Sequence, residues 1–176
     1  YLLAFHKPAG IVCTTSKIDK NNVIDYLNFP ERIYPVGRLD KESTGLLLLT
    51  NNGQLMDDIL RGSNYHEKEY IVHVNKPITD SVLQAMAQGV PILDTITRPC
   101  KIRRMGKDCF YITLTQGLNR QIRRMCEYFD YRVTSLKRIR IMNIELGSLP
   151  VGKWRELTPS EIKTLKNLCL LYTSPS

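Results

Sequence analysis

Residues 33–50 read Ile-Tyr-Pro-Val-Gly-Arg-Leu-Asp-Lys-Glu-Ser-Thr-Gly-Leu-Leu-Leu-Leu-Thr. Apolar residues crowd both ends and a polar stretch separates them. The segment therefore predicts a strand over Ile33–Leu39, a loop holding Asp40, Ser43 and Gly45, and a second strand over Leu46–Thr50. Asp40 then sits where a strand hands over to a turn. Gly45 is expected to let the backbone turn sharply after that loop.

Working outward toward the N-terminus, residues 22–27 suggest a short helix. The Lys7-Pro8-Ala9-Gly10 turn joins a strand over Leu2–Phe5 to a short apolar stretch, Ile11–Cys13. In the other direction, Gly53–Leu60 reads as helical and Glu69–Val74 as a strand. A helix over Thr79–Gly89 opens on Thr79 and closes on Gly89. Cys109–Thr115 is a further strand. Asn119 is expected to cap a helix whose apolar positions Ile122, Met125, Cys126 and Phe129 share one face, leaving Arg120, Arg123, Arg124 and Glu127 on the others. Two strands follow over about 133–145, then one around Trp154–Leu157. Thr158-Pro159-Ser160-Glu161 forms a capping box for a final helix to about Leu168.

Strands and helices intermingle without strict alternation. This predicts an α+β domain built on a mixed, mainly antiparallel sheet flanked by helices. The chain begins inside a strand without an initiator methionine, so an upstream segment is expected to be missing. Residues 169–176 (CLLYTSPS) fit no capping or packing logic and read as a non-native tail on a truncated frame, leaving 1–168 as the folded domain.

The 176 residues are 43% hydrophobic and 24% charged, enough for one well-buried core. No apolar run approaches the roughly 20 residues of a membrane span, and no secretory signal opens the chain. No membrane partner and a cytoplasmic location follow as expectations. Five scattered cysteines form no C-x-x-C pair, and His6, His66 and His73 lack partners at ligand spacing, so no metal site is expected. The net charge of +8 comes from one block: residues 98–140 carry 12 Lys or Arg against 3 Asp or Glu. In a folded domain such a block is a reasonable footprint for binding a polyanion.

Four segments in order carry a resemblance: Lys7-Pro8-Ala9-Gly10; Gly37-Arg38-Leu39-Asp40 followed by Thr44-Gly45-Leu46; Lys68-Glu69-Tyr70; and Arg120-Gln121-Ile122-Arg123-Arg124-Met125. Each is weak alone; the ordered set resembles the catalytic domain of bacterial ribosomal RNA pseudouridine synthases over roughly 1–168. Residues 117–125, 140–143 and 152–157 are similar to the branch acting on large-subunit (23S) ribosomal RNA known as synthase F. The resemblance implies the pseudouridine synthase catalytic fold, an RNA isomerase working as a monomer, ribosomal RNA as partner, and transfer RNA left open as a second substrate. It also implies a small RNA-binding domain upstream.

Making pseudouridine breaks the N1–C1′ bond of uridine, turns the base and rejoins it through C5. No net redox change occurs and no group is lost, so no cofactor is required. A carboxylate meets the chemical need, because it can attack carbon or abstract a proton and then leave. The resemblance gives that role to Asp40. Addition to C1′ and removal of a sugar proton to form a glycal would use the same residue, and the sequence leaves both routes open.

A carboxylate in a water-excluding pocket needs a cation to stay ionised, and the resemblance gives that part to Arg123 of the Gln-Ile-Arg motif. Tyr70 is implied to stack on the flipped base and to take part in the late deprotonation at C5, while Leu136 packs on the base's other side. Arg38 is expected to contact the RNA strand or fill the gap left by the base. Arg120 and Arg124 are candidates for phosphate contacts. Lys7 and Pro8 are expected to shape a turn beside the site. The competing reading is a non-catalytic RNA-binding or ribosome-assembly module.

Overall fold

The run Leu46-Leu47-Leu48-Leu49 explains the architecture: all four side chains are buried, and they serve two different cores. Leu46 and Leu48 join one cluster with Ile59, Ile144 and Leu165, and Leu47 and Leu49 join another with Leu3, Phe5 and Val23. Alternate residues of a strand point to opposite faces, so a continuous leucine run marks a strand covered on both sides. Each such leucine contributes about 1.5–3 kcal/mol through burial.

The computed structural model describes residues 1–173, with side chains through residue 170. In chain order its elements begin with β1 (Leu2–Lys7), α1 (Val23–Leu27), β2 (Tyr34–Val36), β3 (Thr44–Thr50), α2 (Gly53–Ser63) and β4 (Lys68–Val74). Next come α3 (Asp80–Gln88), a small hairpin of β5 (Pro91–Ile92) and β6 (Thr95–Ile96), β7 (Lys101–Arg104), β8 (Cys109–Leu114) and α4 (Gln121–Tyr128). The chain closes with β9 (Val133–Ile141), β10 (Ile144–Glu145), β11 (Trp154–Glu156) and α5 (Pro159–Thr173).

One sheet runs in the order β11-β1-β3-β9-β4-β8-β7, with β10 beside β9 and β2 beside β3. Every pairing in it is antiparallel except β3 with β9, at Thr44↔Lys137 and Gly45↔Arg138. The expected α+β class with a mixed, mainly antiparallel sheet is what forms. The same edge of β3 pairs with β9 at its start and with β2 at Leu48–Thr50. The sheet therefore parts along β3, and the loop with Asp40 crosses at the parting. A third apolar cluster, built on Val72, Phe110, Ile112, Met86 and Met125, packs α3 and α4 against β4 and β8.

Local signals act as their chemistry requires. Asn52 caps α2 by accepting from the Leu55 amide at 3.1 Å, and Thr79 caps α3 by accepting from Val82 at 3.2 Å. At α5 the Thr158 amide donates to Glu161 Oε1 (2.9 Å) and the Glu161 amide to Thr158 Oγ1 (3.1 Å), a reciprocal capping box.

Several expectations need correction. Ile11–Cys13 forms no strand, only a single parallel bridge from Val12 to Asn22. The N-cap of α4 is Arg120, held left-handed at φ 49° without a side-chain cap bond, and Asn119 instead binds Arg124. The final helix passes Leu168 to reach Thr173. Cys169, set aside as lacking packing partners, is 4% exposed in a core cluster and lies where a Cβ on Gly62 would stand 2.9 Å from its Sγ. Residues 174–176 of that segment lie outside the described residues. No described helix is long and apolar enough to cross a membrane.

Candidate active site

The parting of β2 from β9 opens a cleft of about 710 Å³. Asp40 and Arg38 reach it from the β2–β3 loop, Tyr70 from β4, Arg120 and Arg123 from the start of α4, and Leu136 from β9. Residues widely separated in sequence thus line one cleft, with Arg123 of α4 reaching Asp40 in the β2–β3 loop. Of the expected site residues only Arg124 does not line the cleft. Its Nε and Nη2 donate to the Asn119 carbonyl and Oδ1, both at 2.9 Å, and so brace the turn ahead of α4.

Asp40 is met by two cations. Arg123 Nε donates to Asp40 Oδ2 at 3.3 Å, and its Nη2 donates to Ser43 Oγ at 2.9 Å. The guanidinium fork therefore spans carboxylate and hydroxyl rather than gripping the carboxylate with both arms. Its side chain is 11% exposed, against 32% for Asp40, so the cation is the better buried partner. Arg120 Nη1 stands 3.5 Å from the same Asp40 oxygen and 3.6 Å from Glu42 Oε1. A backbone hydrogen bond at Glu42, aided by Arg120 and Arg123, holds the Glu42 carboxyl below its usual range.

Lys7 is fully buried beneath this loop, where its Nζ donates to the carbonyls of Pro8 (2.9 Å), Lys41 (3.1 Å) and Ser43 (2.7 Å). Burial lowers its pKa, with Cys13, Glu42 and Asp40 pulling the other way. All three donors are spent on backbone oxygens, so Lys7 fixes the loop that presents Asp40.

Tyr70 lies opposite Arg138 of β9, at a bulge that shifts the register between Glu69 and Tyr70. The half-buried ring packs against two of the apolar clusters. Leu136 is 7% exposed, and its carbonyl accepts weakly from Thr44 Oγ1 at 3.5 Å. Arg38 has an exposed side chain at the cleft, while its carbonyl accepts from Arg138 Nη1 at 3.4 Å.

Gly45 has a different task from the expected sharp turn. It lies inside β3 at φ 107°, and a Cβ there would meet the Arg138 backbone, 2.6 Å from its nitrogen. Glycine is needed because β9 approaches too closely for any side chain. Two further residues at the cleft escaped the sequence reading in this role: Arg138, 5% exposed with Nε donating to the Leu46 carbonyl at 2.9 Å, and Lys68. Arg138 is part of a strand pattern and Lys68 of a quoted motif, but no spacing rule shows that the two cations meet. Among the described residues no three His, Cys, Asp or Glu side chains come together to hold a metal ion.

A cleft that sets one carboxylate between two arginines, beside an aromatic ring and a leucine, can hold a planar base and bring an anionic oxygen to the sugar attached to it. Residues 1–128 match the family described as RNA pseudouridylate synthase. Among curated proteins, the chain is 54% identical over 167 residues to the dual-specificity RNA pseudouridine synthase RluF of Salmonella typhi, covering 95% of this chain and 58% of that protein. It is 34% identical over 172 residues to the ribosomal large subunit pseudouridine synthase B of Bacillus subtilis, covering 93% of this chain and 70% of that one. A solved pseudouridylate synthase superposes with a TM-score of 0.83 at 31% identity, covering 93% of this chain and 73% of the other. The chain thus spans under two thirds of the length of the Salmonella typhi relative.

Proposed function

As this chain belongs to the RNA pseudouridylate synthase family, we propose that it isomerises uridine in ribosomal RNA to pseudouridine, with Asp40 as the carboxylate that acts at the sugar. The observation that carries the reading is the Asp40–Arg123 contact at 3.3 Å inside the cleft that Tyr70 and Leu136 also line. Arg123 keeps the carboxylate charged and aimed as water is displaced.

A uridine in structured RNA must leave its stack, at a cost of roughly a few kcal/mol. Tyr70 recovers about 1–3 kcal/mol by stacking on the base, and Leu136 closes the other side. Arg38, exposed at the mouth, contacts the strand or takes the place of the flipped base. Arg120 and Arg124 meet phosphates, Arg120 by exchanging its loose contacts with Asp40 and Glu42 for the RNA. The reaction takes no cofactor, because the base is moved and nothing is oxidised or transferred away.

The target class is large-subunit (23S) ribosomal RNA, with transfer RNA as a second class to assay, and the enzyme works as a monomer in the cytoplasm. Residues 1–168 carry this catalytic domain together with the last turn of α5, whose Cys169 joins its core. Mapping tests the reading: large-subunit ribosomal RNA and transfer RNA, both free of modification, are incubated with the protein and pseudouridine is located by carbodiimide block of primer extension. A stop that appears with the wild type and not with Asp40→Asn supports it. RNA binding with no new stop would favour the non-catalytic binding module instead.

A further inference from the structure

The two ends of the cleft differ in charge balance. At one end Asp40 and Glu42 face Arg120 and Arg123, and each cation has a carboxylate within 3.6 Å. At the other, Lys68 and Arg138 line the cavity without one. Lys68 Nζ donates to the Ser63 carbonyl at 2.7 Å, and among the described residues that is one acceptor for three N–H donors. Arg138 spends Nε and Nη1 on the carbonyls of Leu46 and Arg38, and its Nη2 is buried with no acceptor among the described residues.

The acids nearest in sequence are committed elsewhere. Glu67 pairs with Lys101 and Arg140, and Glu69 with Arg140. The charged neighbours acting on Lys68 are Arg138 from β9 and Arg98 from the segment before β7. α2 contributes the neutral Ser63 carbonyl, and Gly117 brings no side chain to the ammonium, which a Cβ there would just touch at 3.9 Å. Burial first, then Arg138 and Arg98, push the Lys68 ammonium down to about 8, and no carboxylate opposes them. Buried donors without acceptors and neighbouring cations without an anion are both costly to maintain unless a ligand completes them.

We infer that the Lys68–Arg138 end of the cleft seats a backbone phosphate of the RNA strand, next to the nucleotide held at Asp40. The identity of that strand rests on the uridine-isomerase reading. An ammonium suits the task, as a compact charge that can follow a phosphate without a fixed fork geometry, while Arg138 stays pinned as a buried field source. The site sets how the strand enters the cleft and leaves bond-breaking to Asp40.

The test is RNA affinity against salt, measured by anisotropy with a labelled hairpin carrying uridine in its loop, on an Asp40→Asn background so that nothing turns over. Loss of one phosphate contact in Lys68→Gln should flatten the slope of log affinity against log salt by about one. Lys68→Arg should retain it. A phosphate raises the pKa of the ammonium it binds. Affinity should therefore be full below pH 8 and fall above it in the parent, whereas Lys68→Arg should show no such fall.

A single neutral methylphosphonate beside the target uridine should weaken the parent and leave Lys68→Gln unaffected, which keeps the proposal testable even if that variant is less stable. An unchanged salt slope in Lys68→Gln, or equal sensitivity of both proteins to every methylphosphonate, would overturn the phosphate seat and reduce Lys68 to a brace for Ser63. Failure of the wild type to make pseudouridine while these binding differences hold would overturn the isomerase reading alone.

Discussion

Arg123 reaches Asp40 across 83 residues of sequence, its Nε 3.3 Å from Oδ2, while the same guanidinium donates from Nη2 to Ser43 Oγ at 2.9 Å. The arginine thus sets both the charge and the position of the loop. Lysine offers its donors from a single point and lacks the planar fork whose separate Nε and Nη2 reach Asp40 and Ser43 in fixed directions. Arg123→Lys is expected to lower single-turnover rates on the order of 10²-fold through misplacement of the carboxylate. Turnover near the wild-type rate would remove Arg123 from this role.

Gly45 and Arg138 define the tightest backbone approach at the site. In Gly45→Ala the new Cβ would collide with the Arg138 backbone at a residue whose φ is 107°. Strain and overpacking together should cost about 2–4 kcal/mol. Thermal denaturation should show a melting point lower by roughly 5–15 °C. An unchanged melting point would mean that β3 and β9 separate without cost.

Tyr70 makes no hydrogen bond through its hydroxyl among the described residues, so Tyr70→Phe should melt like the wild type and bind RNA equally well. If the hydroxyl serves the C5 deprotonation that the family resemblance implies, turnover should still fall by roughly 10²-fold or more. Normal turnover in Tyr70→Phe would confine the residue to stacking. Tyr70→Ala should lose binding as well, by about 1–3 kcal/mol.

Away from the site, Glu161 joins the capping box to Arg155, with contacts of 2.7 and 2.9 Å to the guanidinium. Those bonds bring its carboxyl down to about 2 from 4.5. A carboxylate with a depressed native pKa contributes stability that is present above pH 4.5 and lost as pH falls through 2. Partly exposed, it should be worth about 1 kcal/mol. Melting curves should show Glu161→Gln less stable than wild type at pH 7, with the gap closing as pH falls from 4 toward 2. A gap that stays constant with pH would mean the carboxylate charge is irrelevant.

Much of this was legible in the sequence, for identifiable reasons. The leucine run of β3, the capping residues Thr79 and Thr158, and the glycine closing α3 are local signals, and the elements they predict are present. β7 was missed because Lys-Ile-Arg-Arg is an edge strand with three exposed residues and no apolar alternation. The β5–β6 hairpin was missed because each of its strands has two residues. At Arg120 the left-handed backbone overrides the preference for asparagine as a cap. Asp40, Tyr70 and Arg123 stood out through ordered motifs. Lys68 and Arg138 meet only through folding, so no spacing rule could pair them.

Tritium release from uridine C5 reports whether Asp40 drives the isomerisation. Unmodified large-subunit ribosomal RNA labelled with tritium at uridine C5 is incubated with the wild type and with Asp40→Asn, without added metal or cofactor. Release by the wild type should survive a chelator and be abolished in Asp40→Asn. Release that persists in Asp40→Asn, or none from a wild type that binds the RNA, would contradict that role for Asp40.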